Sequence, residues 1–132
     1  MKNFTLGFII LILAVIVVLG CISSNDTDVG ILEGNISIGP ICPVEHPDQP
    51  CVTPPEAYEA RKILIFRDNG KTLVKTVTIG GNGHYHTELN PGSYMIDINH
   101  AGIDRSADVP ASIVIRSGKT VTLNVTIDTG IR

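Results

Sequence analysis

The feature that most constrains this chain is the run from Asn82 to Ile98, NGHYHTELNPGSYMIDI, which alternates about two strand axes on either side of a tight turn. Tyr85, Thr87 and Leu89 fall on one face of the first strand, and Tyr94, Ile96 and Ile98 on one face of the second, as a period of two requires. Asn90-Pro91-Gly92 divides them, because proline holds φ near about −65° and glycine is free to turn left-handed. Asn82-Gly83 ends an earlier turn on the same grounds. A hairpin with one apolar face needs a second sheet to cover it, so this stretch alone predicts a β-sandwich.

The remaining segments supply the other strands. Gly30 to Ile38 places Leu32, Ile36 and Ile38 inward and Glu33, Asn35 and Ser37 outward. Lys62 to Arg67, KILIFR, is apolar at four successive positions and predicts a strand covered on both faces. Asp68-Asn69-Gly70-Lys71 is a hairpin turn with Asn-Gly at its tip, returning as Lys71 to Ile79. His100 to Asp108 has no period and reads as a crossing loop. Pro110 opens an edge strand, Ala111 to Arg116, and Ser117-Gly118-Lys119 turns it into a last strand with Val121, Leu123, Val125 and Ile127 inward. Thr120, Thr122, Asn124 and Thr126 face out. Glu56 to Ala60 predicts a helical turn, and no stretch has the period of a core helix. The fold class is therefore all-β: a seven-stranded Greek-key β-sandwich over residues 30–132.

The run Gly83-x-Tyr85-x-x-x-Leu89-x-Pro91-Gly92-x-Tyr94 resembles the signature of carboxypeptidase regulatory-like domains, the transthyretin-like (prealbumin-like) sandwiches. Gly39-Pro40-Ile41-Cys42-Pro43-Val44-Glu45, Pro50-Cys51 and the terminal Asp128-Thr129-Gly130-Ile131-Arg132 resemble a narrower group of small prokaryotic secreted proteins built on that domain. The resemblance implies a fold and an extracellular address, and no activity. A zinc carboxypeptidase needs a His-x-x-Glu pair, and no histidine here is followed by glutamate three residues on. The related hydrolases of purine breakdown end in Tyr-Arg-Gly-Ser, which this chain lacks.

Residues 1–20 read as a lipoprotein signal peptide or membrane anchor: Met1-Lys2-Asn3 is a charged start, Phe4 to Val17 is apolar, and Val18-Leu19-Gly20-Cys21 resembles a lipobox. Cys21 is then the lipidated N-terminus, tethered through residues 21–29, of which Ile22 to Val29 spans about 25 Å when extended. The alternative is an uncleaved anchor, for which about sixteen apolar residues is slightly short. Without residues 1–20 the chain loses one lysine and no acid, so its formal charge of −3 becomes −4. Scattered lysines and arginines in an acidic module give no basic stripe for nucleic acid or for anionic lipid headgroups.

Gly39 to Ala57 carries six prolines and cannot join a sheet ladder, since each lacks an N–H. A Cys42–Cys51 disulfide would order it, in an oxidising compartment; a zinc site from Cys42, His46 and Cys51 is the rival, with only three ligands. His84, His86 and Glu88 share one strand face and form a candidate metal row suited to zinc, copper or nickel, against the plainer reading of a wet outer face. Asp128-Thr129-Gly130 matches the aspartic-protease tripeptide, but such enzymes pair two of them, so it reads as C-terminal cover. An intramolecular Lys–Asn isopeptide bond needs inward-facing partners, and Asn124 faces out. A sugar platform needs exposed aromatics, and only Tyr58 is free of a core role. Asn25, Asn35 and Asn124 begin N-glycosylation sequons.

No nucleophile–base pair, phosphate loop or complete metal set can be placed. The sequence therefore predicts a non-enzymatic extracytoplasmic lipoprotein needing no cofactor, a tethered binding or structural module. It meets the membrane through its N-terminus and an envelope protein or polymer through the proline-rich loop, around Glu45 and His46. The alternative is a surface metal-binding or small hydrolytic protein using the His84, His86 and Glu88 row.

Overall fold

The structure, a computed structural model, describes residues 28–44 and 46–131. Cys21, the Asn25 sequon, the signal segment, most of the tether and Glu45 lie outside the described residues. The elements run β1 (Gly30–Gly39), α1 (Pro55–Glu59), β2 (Lys62–Arg67), β3 (Leu73–Thr78), β4 (His84–Leu89), β5 (Gly92–Ile98), β6 (Ala111–Ile115), β7 (Thr120–Thr122) and β8 (Val125–Asp128). They form two sheets. In the first, β1 lies between antiparallel β4 and parallel β7 and β8; the second has the order β3-β2-β5-β6, all antiparallel. The expected hairpin of residues 82–98 is therefore not one: β4 pairs with β1 and β5 with β2 and β6, so Asn90-Pro91-Gly92 carries the chain from one sheet to the other and the two apolar faces cover each other.

The core lies where the alternation places it. Leu32, Ile36 and Ile38 of β1, Tyr85 and Leu89 of β4, and Val125 and Ile127 of β8 meet Ile63, Ile65, Tyr94, Ile96 and Ile98 across the interface, all buried. Burying an aliphatic side chain of this size stabilises by about 1.5–3 kcal/mol, and this layer is the main source of the fold's stability.

Among the described residues there are eight strands rather than seven, because the last predicted strand breaks at Leu123-Asn124. The reason is a knot of contacts around Gly34. A Cβ there would stand 1.9 Å from the Leu123 carbonyl oxygen, so only glycine lets the last strand cross β1 this closely. The buried Tyr85 hydroxyl donates to that same Leu123 oxygen at 2.5 Å. Asn124 Oδ1 accepts the Asn35 N–H at 2.9 Å, a side chain taking over where the ladder is interrupted. With the Leu123 carbonyl and the Asn35 N–H taken by side chains, the ladder lapses there and resumes in the same register at Val125.

The expectation that β2 is covered on both faces holds for one. Ile63 and Ile65 are fully buried, whereas Leu64 and Phe66 are half-buried, flanked in register by Thr76 and Asp97, and by Leu73 and Met95. At the β2–β3 turn Gly70 takes φ 67° while Asn69 keeps negative φ. Asn69 instead uses its Oδ1 to accept the N–H groups of Lys71 and Thr72.

Candidate functional site

The registers give the sandwich two distinct ends. Gly30 pairs with Leu89 and Ile31 with Thr120 at one end, the base; Gly39 pairs with Asp128 and Lys62 with Thr78 near the other, the apex. The proline-rich loop, α1, the crossing loop and the C-terminal residues all gather at the apex. No regular ladder can hold them, so side chains and single bridges do.

Cys42 and Cys51 are joined in a disulfide with Cα atoms 6.1 Å apart. Both sulfurs are consumed, which removes the zinc site of Cys42, His46 and Cys51. Within the closed loop His46 faces Gln49 in a single bridge, the Gln49 N–H reaching the His46 carbonyl at 3.0 Å, so Pro47 and Asp48 form the tip. Val44 and Val52 stand exposed, and His46, Pro47, Pro50 and Cys51 line a shallow hollow of about 400 Å³. Ile41 packs against the core from the loop's near end.

The C-terminal tripeptide fastens this loop. The Thr129 N–H donates to the Gly39 carbonyl at 3.1 Å and its hydroxyl to the Pro40 carbonyl. Asp128 Oδ1 accepts the Gly130 N–H at 2.8 Å, and the Asp128 backbone exchanges two hydrogen bonds with Arg105, at 2.7 and 2.9 Å. The expected role of Asp128-Thr129-Gly130 as cover is thus realised by named bonds.

Sequence reasoning missed the apical ion pair. Arg61 meets Asp104 through Nε at 2.6 Å and the second nitrogen at 3.0 Å, and its third nitrogen reaches the Ala57 carbonyl at 2.6 Å. The two side chains are 12% and 4% exposed. The pair ties α1 to the crossing loop, and removing one partner from such a buried pair costs about 3–5 kcal/mol. Nothing periodic announces it, since Arg61 precedes a strand and Asp104 sits in a patternless loop 43 residues on.

His84, His86 and Glu88 are exposed in a row on β4, as their spacing predicts. Pairing sets Asn35, Glu33 and Ile31 of β1 opposite them, so Glu33 stands beside His86. Among the described residues, no group of three or more His, Cys, Asp or Glu side chains is gathered to hold a metal ion. The sequon residues Asn35 and Asn124 are exposed and adjacent. A second shallow hollow, about 510 Å³, is lined by Arg105, Ser106, Ala107, Asp108, Thr126 and Asp128. Its groups are engaged locally: Ser106 Oγ accepts the Asp108 N–H, and Asp108 Oδ2 the Thr126 N–H. No helix of the described residues is long and apolar enough to cross a membrane.

No protein-family model matches the chain, and no curated protein matches it. Solved structures do. The minor pilin GBS52 of the gram-positive pathogen Streptococcus agalactiae aligns over 76% of this chain and 44% of its own, at 14% identity and a TM-score of 0.52. A DUF3823 family protein from Parabacteroides merdae aligns over 75% of this chain and 45% of its own, at 14% identity and a TM-score of 0.45. The chain thus spans less than half the length of these proteins, and what it shares with the pilin is an all-β sandwich fold.

Proposed function

We propose that this chain is a non-enzymatic module of the cell envelope, a carboxypeptidase regulatory-like sandwich anchored at the outer face of the membrane through a lipid on Cys21, presenting its apical loop to a partner. The Cys42–Cys51 disulfide carries the reading. It fits an oxidising compartment, and it closes a segment that proline has already stiffened. A loop fixed at both ends, by the disulfide and by Thr129, loses little entropy on binding, which favours it as the contacting surface. The exposed Val44 and Val52 beside polar His46 and Asp48 suit a protein or polymer partner more than a small substrate, and the open hollows suit neither catalysis nor deep ligand burial.

Photo-crosslinking from position 48 in intact cells, with partners identified by mass, tests the loop. Capture lost in the Glu45→Ala, His46→Ala double variant is the expected result. Capture indifferent to the loop, together with a substrate turned over and lost in His84→Ala, overturns the reading in favour of the histidine row. Intact mass of the membrane-extracted chain tests the anchor: a lipidated species beginning at Cys21 is expected, and a species retaining Met1 without lipid refutes it.

A further inference from the structure

In the linear sequence the basic residues are scattered; the topology collects them. Strands β2 and β6 run toward the base and β3 and β7 away from it. The β2–β3 and β6–β7 turns therefore lie at the base, with Arg67 and Lys71 on the first and Arg116 and Lys119 on the second, all four exposed. Lys75 points the same way, its Nζ reaching the Glu88 carbonyl at 3.4 Å. The acids at this end are Asp28, Asp68 and Glu88, with Glu33 a little further up β1, and Asp28 already accepts the Ser117 hydroxyl. The apex is the reverse. Asp104 there is matched by Arg61, and Asp48, Glu56, Glu59, Asp97 and Asp108 stand at this end with Lys62 and Arg105. An acidic chain thus folds with a basic base and an acidic apex.

The base is also where the chain enters the sandwich, at Val29-Gly30, whose Val29 carbonyl accepts the Gly118 N–H at 2.9 Å. We infer that the base is a docking surface for anionic lipid headgroups, so that the module sits upright on the membrane with its apical loop outward. This rests on the proposed anchoring. Strands about 4.8 Å apart in sheets about 10 Å apart put the two turns within roughly 20 Å of each other. All four cations then reach a flat surface together, inside a screening length of about 8 Å. The tether of about 25 Å allows contact without fixing it; charge supplies the orientation, while the acidic apex is repelled.

The test uses the full chain reconstituted into vesicles of phosphatidylcholine alone or mixed with phosphatidylglycerol. A fluorescent residue replaces Asn90, at the base, or Gln49, at the apex, and a nitroxide on the lipid headgroups quenches whichever is near. The Asn90 probe should be quenched more in the anionic vesicles, less as salt rises, and the Gln49 probe in neither. Arg116→Glu with Lys119→Glu should abolish the preference, each lost cation lowering the contact population about fivefold. Equal quenching of Asn90 in both vesicles, or equal quenching of both probes, overturns the docking surface. Displacement by inorganic phosphate but not by chloride at matched ionic strength also overturns it, in favour of a discrete phosphate site. Flotation with neutral vesicles reads the anchor separately: a chain that floats there without charge-dependent quenching keeps its anchor and loses this inference, and one that floats only with anionic vesicles does the opposite.

Discussion

Gly34 and Tyr85 show how much one position can decide. A methyl group at Gly34 meets the Leu123 backbone, which cannot swing aside as a side chain would. Gly34→Ala should therefore cost at least about 3 kcal/mol, a fall in Tm of more than roughly 12 °C. Gly39→Ala on the same strand, with open space around it, should be near neutral; thermal melts followed by circular dichroism compare them. Tyr85 gives the pH dependence. Burial raises its hydroxyl pKa above the ordinary tyrosine value, so the folded chain keeps a proton that the unfolded chain releases. That contribution is complete below about pH 10 and is lost as pH rises beyond it, by up to about 1.4 kcal/mol per pH unit. Tyr85→Phe should be less stable at neutral pH by about 1 kcal/mol, from the lost bond to Leu123. It should also show a shallower alkaline decline; urea midpoints at neutral and alkaline pH decide both.

Among the elements, the proline-rich loop depends on its bridge. Cys42→Ser with Cys51→Ser should lower stability by roughly 2–3 kcal/mol, the chain-entropy value for closing about ten residues. Amide exchange should rise first over residues 41–53 while β2 and β5 stay protected. The strands themselves were legible in the sequence, because alternation fixes which face is buried: Tyr85, Leu89, Tyr94, Ile96, Val125 and Ile127 all lie inward as predicted. The disulfide, too, was one of two readings that the cysteine spacing offered. What sequence could not give was register. Glu33 beside His86, Arg61 on Asp104, and the meeting of Arg67, Lys71, Arg116 and Lys119 at one end all depend on which strands pair and in which direction. The break at Leu123 left one trace, a glycine at an inward position of β1 between Leu32 and Ile36.

For the molecule as a whole, open sheet edges are the hazard. Edge strand β3 is exposed at all but one of its residues, and Lys75 stands on its inner face opposite buried Ile65. A charge placed there blocks another chain from extending the sheet. Lys75→Ile should therefore give concentration-dependent self-association, seen by sedimentation velocity, where the parent stays monodisperse. The central position of β1 has a consequence in time. Its one flank is closed by β4, but the other waits for β7 and β8, and the bonds from Asn35 to Asn124 and from Pro40 to Thr129 span 89 residues each. A chain emerging N-terminus first shows β1 early and completes its sheet only when residues 120–129 follow. Such non-local closure is slow and leaves the half-made sheet open to aggregation, so the arrival of β7 and β8 is what ends the period of risk.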